Sequence, residues 1–304
     1  MNLINVSLPK KESTDSIYKL SCSVDWLGKN KTLWLNYPKE FDNNIDNNCI
    51  DWVALSLLMP AMLSKSDLKI TGNISSSLYL FLCSDVQNVL NLHNPKLSKI
   101  RIFVDEKVRR QKAKNYQTLL GFSAGVDSFT SLALLEKNKS LRPDYLATFN
   151  VGAMRNGPDS SSLLKKYADR LTEYCAIYNY KSIIIDSNIN EFYDGMSHEA
   201  THTIKFAAAI LALGGAIGKS YYSSTYDYEE ISISKIRNFN KIAYLDPILL
   251  PLFSTEATDF RSIGSNFSRL DKVKYISDYF PSYQYLDVCA ADPWKRIESD
   301  KPNC

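Results

Sequence analysis

The chain has 304 residues, 45% of them hydrophobic and 23% charged, with a formal net charge of +3. That length leaves room for two domains, and the composition suits a globular protein with a substantial core. The charge is near balance and scattered, which argues against an extended nucleic-acid footprint and leaves room only for a small local patch. Six cysteines stand far apart, at 22, 49, 83, 175, 289 and 304, with no C-x-x-C pair. Such spacing suits thiols in a reducing cytoplasm better than a disulfide framework. The segment NLINVSLPKKESTDS lacks the apolar core of a signal peptide, and no apolar run reaches the roughly 18 residues of a membrane span. A cytoplasmic chain with no membrane attachment is expected.

From Ile17 to Tyr37 two alternating runs flank Gly28-Lys29-Asn30-Lys31. Cys22, Val24 and Trp26 line one arm and Leu33, Leu35 and Tyr37 the other, the period-two pattern of a β-hairpin. CIDWVALSLLMPAMLSKS (49–66) reads as a buried helix that Pro60 kinks or ends. DLKITG and SKIRIFVDE read as strands, and SSSLYLFLCSDVQNVLNLH between them as mostly helical. Residues 1–112 are therefore expected to form an N-terminal α+β domain of undefined role. Charged EKVRRQKAKN (106–115) marks its boundary as a linker or a solvated helix.

The pattern then changes. QTLLGF is a strand, followed by a small-residue loop and the apolar helix SFTSLALLEKN. DYLATFNV (144–151) is a second strand. SSLLKKYADRLTEYCAIYN is an amphipathic helix with Leu163, Leu164, Tyr167, Leu171, Tyr174 and Cys175 near one face. KSIIIDS follows as a strand, HEATHTIKFAAAILALGGAIG as a helix and KSYYSSTYD as a fourth strand. Strands alternating with helices of ten or more residues imply an α/β domain over 113–304 built on a parallel, doubly wound sheet.

In such sheets ligands collect beside the first strand-to-helix turn, here Ser123-Ala124-Gly125-Val126-Asp127-Ser128. Gly125 is expected to let the backbone turn and approach an anion. The helix opening near Ser128 offers free N–H groups and a positive dipole end, and Ser123 and Ser128 add hydroxyls. Asp127 would repel phosphates unless a cation intervenes, so it is expected to hold Mg²⁺ or to order the loop. The Gly-Lys-Ser/Thr ending of a Walker A loop is absent, as is G-x-G-x-x-G.

This loop resembles the S-G-G-x-D-S motif of the PP-loop family, the N-type ATP pyrophosphatases, and the resemblance spans about 115–304. THTIKFAAAILAL, YYSSTYD, LDPILLPLFSTEATDF and GSNFSRLDKV resemble the branch around 7-cyano-7-deazaguanine synthase. The resemblance implies an adenine nucleotide alpha hydrolase-like fold, ATP and Mg²⁺ as cofactors, and cleavage of ATP to AMP and pyrophosphate. A carboxylate or carbonyl oxygen would be activated for attack by ammonia or an amine. It places His202, Ser223, Ser224, Ser268, Arg269 and Lys272 in or beside the nucleotide cleft, with Arg269 and Lys272 stabilising charge on the α-phosphate, and Phe149 and Asn150 at the adenine. Ala124 departs from the motif's second glycine. If it needs a positive φ, its methyl costs about 1 kcal/mol. Ser254-Thr255-Glu256 reads equally as a substrate contact and as a helix cap. The C-x-x-C-x-x-C zinc cluster of relatives has no counterpart beyond Cys304, and Cys289 adds too few thiols for a four-coordinate site, so zinc is not expected.

Three other readings stand beside the ligase. A tRNA-modifying PP-loop enzyme would carry paired cysteines near the cleft or a dedicated RNA-binding domain, whereas the one cysteine expected inside the α/β core is Cys175, on an amphipathic helix. A non-catalytic nucleotide-binding module would follow if Ala124 reflects decay. Finally, His198-Glu199-Ala200-Thr201-His202 matches the H-E-x-x-H zinc-protease pattern. The third ligand it requires would have to come from His93, Glu229 or Glu230, and the metalloprotease is the weakest of the four. The expected partner is a small-molecule or protein substrate.

Overall fold

The computed structural model describes residues 2–154, 160–233 and 240–287. Strands β1 (Asn2–Val6), β2 (Lys10–Ser13), β3 (Ile17–Trp26) and β4 (Lys29–Pro38) lead into helix α1 (Asp51–Ser64). β5 (Ser66–Ser75), α2 (Ser76–Cys83), α3 (Asp85–His93) and β6 (Ile102–Val108) complete the first region. The alternating part follows as β7 (Gln117–Gly121), α4 (Val126–Glu136), β8 (Tyr145–Asn150), α5 (Ser160–Tyr178) and β9 (Lys181–Ser187). It ends with α6 (His202–Leu211), β10 (Ile217–Ser223), α7 (Asp246–Leu252), β11 (Asp259–Ile263) and α8 (Arg269–Ile276).

All the strands join one α/β sheet in the order β11-β10-β7-β8-β9-β4-β3-β1-β5-β6, with β2 added on β3. From β11 to β9 every pairing is parallel. The sheet continues into the first region through a short antiparallel join, Leu35↔Ser187 and Asn36↔Asp186. Helices cover both faces. Leu119, Ala147, Ile183 and Ile185 point into a core shared with α1 and α6, while Leu120 and Leu146 point into a second core under α4 and α5. Neighbouring residues on one strand thus serve opposite cores, which is why these strands read as continuous apolar runs. Along the chain the strand order grows outward from β7 to β9, then returns to place β10 on the other side of β7. The crevice at that reversal lies at the carboxyl ends of β7 and β10.

Several boundaries differ from the sequence expectation. The hairpin turn is Leu27-Gly28, both at positive φ (51° and 78°), and Lys29 and Asn30 already pair with Trp26 and Asp25. Two consecutive left-handed residues match the twist of the arms, so the two-residue loop displaces the longer one. Pro60 does not end α1, which runs on to Ser64 and stops at Lys65 in the left-handed region (φ 53°). The stretch expected to be mostly helical, 75–93, is so, as two helices, α2 and α3, parted at Ser84 (φ −127°, ψ −93°). The charged 106–115 stretch begins inside β6 rather than as a linker or helix. No helix among the described residues is long and apolar enough to cross a membrane.

Candidate functional site

The loop between β7 and α4 turns at Ala124, whose φ is +58°. Gly125 instead takes extended angles (φ −81°, ψ 172°) as the N-cap of α4. The tight turn expected of Gly125 is therefore made by its alanine neighbour, because Gly125 must be extended to start the helix. Among the described residues no side chain caps α4, so its first N–H groups face the loop as donors for an anion. Ser123 is exposed and its Oγ accepts the Gly125 N–H at 3.4 Å. Ser128 is buried and donates its hydroxyl to the Gly125 carbonyl at 2.9 Å.

Replacing Ala124 with glycine relieves a left-handed alanine, worth about 1 kcal/mol, against a larger loss of unfolded-state entropy for glycine. The Ala124 methyl is also packed in the second core. The expected outcome is an unfolding free energy within about 1 kcal/mol of wild type, measured by urea titration. A loss well beyond that would mean the methyl's packing outweighs the strain of the turn.

A cavity of about 390 Å³ opens over this loop. Ser123, Gly125, Asp127 and Ser128 line its floor, and Phe149, Phe206, Tyr222 and Met154 supply apolar and aromatic walls. His198, His202, Ser223 and Thr225 close one side. Of the residues expected from the sequence, Ser123, Gly125, Asp127, Ser128, Phe149, His202 and Ser223 come together here. Others do not. Ala124 and Val126 are buried in the second core. Asn150 is buried and spends its amide on Asp186 Oδ1 at 2.7 Å, across the β8–β9 pairing. Ser224 is buried and donates its hydroxyl to the Tyr226 carbonyl at 2.6 Å. Ser254, Thr255 and Glu256 do not line the cleft; Glu256 accepts the Ser77 N–H at 2.9 Å and thereby ties the segment between α7 and β11 to the start of α2. Ser268 caps α8 through its hydroxyl.

Asp127 is the electrostatic centre. Its Oδ2 lies 2.7 Å from Arg269 Nη1 and its Oδ1 lies 3.0 Å from Lys272 Nζ. Lys272 is fully buried and also donates to the carbonyls of Ser224 and Thr225. Arg269 keeps 60% of its side chain exposed.

The histidine segment is not the single helix expected. His198 to Ala200 form a short 3₁₀ turn, Thr201 leaves helical angles (φ −141°), and α6 begins only at His202. Ser197 caps that turn through its Oγ, so the chain enters α6 through a break, and α6 itself stops at Leu211 before the Gly214-Gly215 turn. His202 Nδ1 faces Tyr222 Oη at 2.5 Å and Thr203 Oγ1 at 3.2 Å, and Thr203 donates to buried Asp246 at 2.7 Å. Burial, reinforced by nearby Lys205, lowers the His202 pKa to about 4 and that of His198 to about 3. His93 lines a separate recess with Met59 and Leu90. Among the described residues no group of three His, Cys, Asp or Glu could hold a metal ion. Cys289 and Cys304 lie outside the described residues.

These histidine shifts have a defined sign. Both folded pKa values lie below the unfolded value of about 6.5, so their contribution to stability is full above pH 6.5 and is lost as pH falls toward 4. At pH 5 the partly buried His202 is expected to cost about 1–2 kcal/mol relative to pH 7. Thermal melts of wild type and His202→Asn should show the shallower decline in the variant; equal slopes would remove this assignment.

Sequence reasoning missed Asp287, whose N–H donates to the Ala124 carbonyl at 2.8 Å and which borders the cleft. It also missed Tyr167, Met154, Phe206 and Thr225 as lining residues. Tyr222 stands next to predicted Ser223 at the end of β10, where strand alternation assigns neighbouring side chains to opposite faces and so gave no pointer to it; Asp287 carries no local signal. Compared with models of known protein families, with curated proteins and with solved structures, the chain matches none.

Proposed function

We propose that the chain binds an adenine nucleoside triphosphate in the cleft above the 123–128 loop and acts as an adenylating ligase of the PP-loop type. The observation that carries this reading is the uncapped start of α4 behind a left-handed turn, set where the strand order reverses and beside an exposed arginine. The order β9-β8-β7-β10-β11 also supports the adenine nucleotide alpha hydrolase-like fold that the sequence suggests. The cavity has the volume range of nucleotide-sized sites, and its aromatic walls give a flat base a surface to stack on.

When bound, the triphosphate supplies an α-phosphate that a substrate oxygen can attack with pyrophosphate as leaving group. The protein's part is placement and charge. The α4 N–H groups and Ser123 Oγ cradle phosphate oxygens, and Arg269 meets charge that develops during transfer. Phe149, Phe206 and Tyr222 hold the base away from water. Neutral His202 and His198 face the cleft as hydrogen-bonding groups rather than as cations. Cys175 supports the ligase over the tRNA thiolase, since burial pushes its thiol up to about 12, far from the thiolate a sulfur carrier needs.

Magnesium is the other group the resemblance implies, and Asp127 does not suit it, because both carboxylate oxygens already face protein cations. No step is assigned to a metal there. Calorimetric titration with a non-hydrolysable ATP analogue tests the nucleotide reading, and pyrophosphate release with candidate carboxylic acids tests the ligase. Binding without turnover across those acids would favour the non-catalytic module, and no binding would remove both.

A further inference from the structure

We propose that Asp127 is the built-in counter-ion of Arg269 and Lys272 rather than a metal ligand, and that a polyphosphate takes Arg269 over from it while Lys272 stays in place. The inference rests on the nucleotide reading above and concerns how that same site handles charge.

Asp127 is the second residue of α4 and Arg269 the first of α8, so two helix starts meet at one carboxylate. The two cations that reach it are not equivalent. Lys272 has no exposed side-chain surface, and its three N–H groups are matched to three acceptors: Asp127 Oδ1 and the carbonyls of Ser224 and Thr225. An ammonium has only three donors. Turning it toward a ligand would strip two carbonyls at the end of β10, so it is a fixed charge. Arg269 is 60% exposed and commits one nitrogen, Nη1, to Asp127 Oδ2. Among the described residues the rest of its five-donor fork has no partner. An exposed ion pair of this kind is held weakly, and an arginine prefers a phosphate that it can grip with two parallel bonds.

A divalent cation on Asp127 faces the opposite balance. It would displace Arg269 and still lie within roughly 4 Å of an ammonium that cannot leave. The carboxylate's place beside a phosphate loop then has a simple account. Lys272 neutralises it permanently, so it does not repel the ligand, and its second oxygen parks Arg269 over the loop until a better anion arrives.

The test titrates inorganic pyrophosphate, AMP and a non-hydrolysable ATP analogue calorimetrically, each in EDTA and in excess Mg²⁺. Arg269→Ala is expected to weaken pyrophosphate and the ATP analogue about 10- to 100-fold while AMP changes less than about 3-fold, with Arg269→Lys between. Asp127→Asn is expected to bind pyrophosphate in EDTA as tightly as wild type or up to about 10-fold tighter, and to keep the wild-type response to Mg²⁺. An Asp127→Asn variant that loses the tightening by Mg²⁺ would overturn the proposal. So would equal losses for AMP and pyrophosphate in Arg269→Ala, which would mean only a structural role. Because Asp127→Asn also removes a buried lysine's partner, Mn²⁺ is titrated into the wild-type chain without nucleotide and followed by paramagnetic broadening. No saturable Mn²⁺ binding is expected, and binding that Arg269→Ala strengthens would count against the counter-ion role. If the wild-type chain binds none of the three ligands, the nucleotide reading falls and this inference with it.

Discussion

Lys272→Ala is expected to lower the unfolding free energy by about 3–5 kcal/mol, the range for removing one partner of a buried ion pair. The ammonium is wholly buried and bonds the Ser224 and Thr225 carbonyls as well as Asp127. Alanine leaves those acceptors without a donor, and each buried acceptor so stranded costs about 1–3 kcal/mol. Lys272→Met keeps most of the packing volume and is expected to lose nearly as much, because the deficit is polar. Arg269→Ala, three residues earlier on the same helix, is expected to cost less than about 1 kcal/mol, since its pair with Asp127 is solvent-exposed. Urea unfolding followed by intrinsic fluorescence separates the two. Similar losses for Arg269 and Lys272 would contradict the division between a fixed and a movable cation.

That contrast shows what could and could not be read before folding. SRLDK places Arg269 and Lys272 one helical turn apart, so both look like surface cations. Only the contact of α8 with α4 and the end of β10 decides which is buried. The elements were legible because they follow local periodicity: Tyr18, Leu20, Cys22 and Val24 alternate inward, and Leu119 and Leu120 serve opposite cores. The α/β alternation after residue 113 likewise pointed to the parallel strands and to the place of the 123–128 loop. Register between distant strands was not legible. The β4–β9 join, which makes one sheet of regions 1–112 and 113–304, rests on two residue pairs separated by some 150 positions. The same non-local register pairs Asn150 with Asp186, which removes its amide from the cleft. At Ala124 the sequence posed the right question, since whether the alanine sits at positive φ decides the strain, and it does. The H-E-x-x-H pattern misled about local structure because it presumes an unbroken helix, which Thr201 interrupts.

A signal that local reading passed over is Lys205, set inside IKFAAAIL, where every α6 residue from Thr203 to Leu211 is buried. Its Nζ lies 2.8 Å from Asn190 Oδ1 and 5.1 Å from the Tyr193 ring centre. Asn190 Oδ1 is its one hydrogen-bond acceptor among the described residues, with no carboxylate paired to it. Nζ and Asn190 together fill the space above Gly152, whose φ of +118° and crowded surroundings leave no room for a side chain. Burial lowers the Lys205 pKa from 10.5 to about 7. The folded value lies below the unfolded one, so the unfolded chain holds the proton more tightly and the wild-type stability rises with pH between 7 and 10.5. Each unit in that window is worth up to about 1.4 kcal/mol. Lys205→Met removes the desolvated amine while keeping its length, and loses one hydrogen bond worth about 1 kcal/mol. The variant is therefore expected to be more stable than wild type by about 2–4 kcal/mol at pH 7, with the gap closing toward pH 9.5. Urea midpoints at pH 6.5, 8 and 9.5, below the range where the buried tyrosines ionise, measure this directly. A variant less stable at every pH, with the wild-type slope retained, would mean that the bond to Asn190 outweighs the cost of burying the amine. A gain in stability would mark Lys205 as a residue kept against the interest of the fold, and its contact with Gly152, in the loop that carries Val151 and Met154 into the cleft wall, is where its benefit would have to lie.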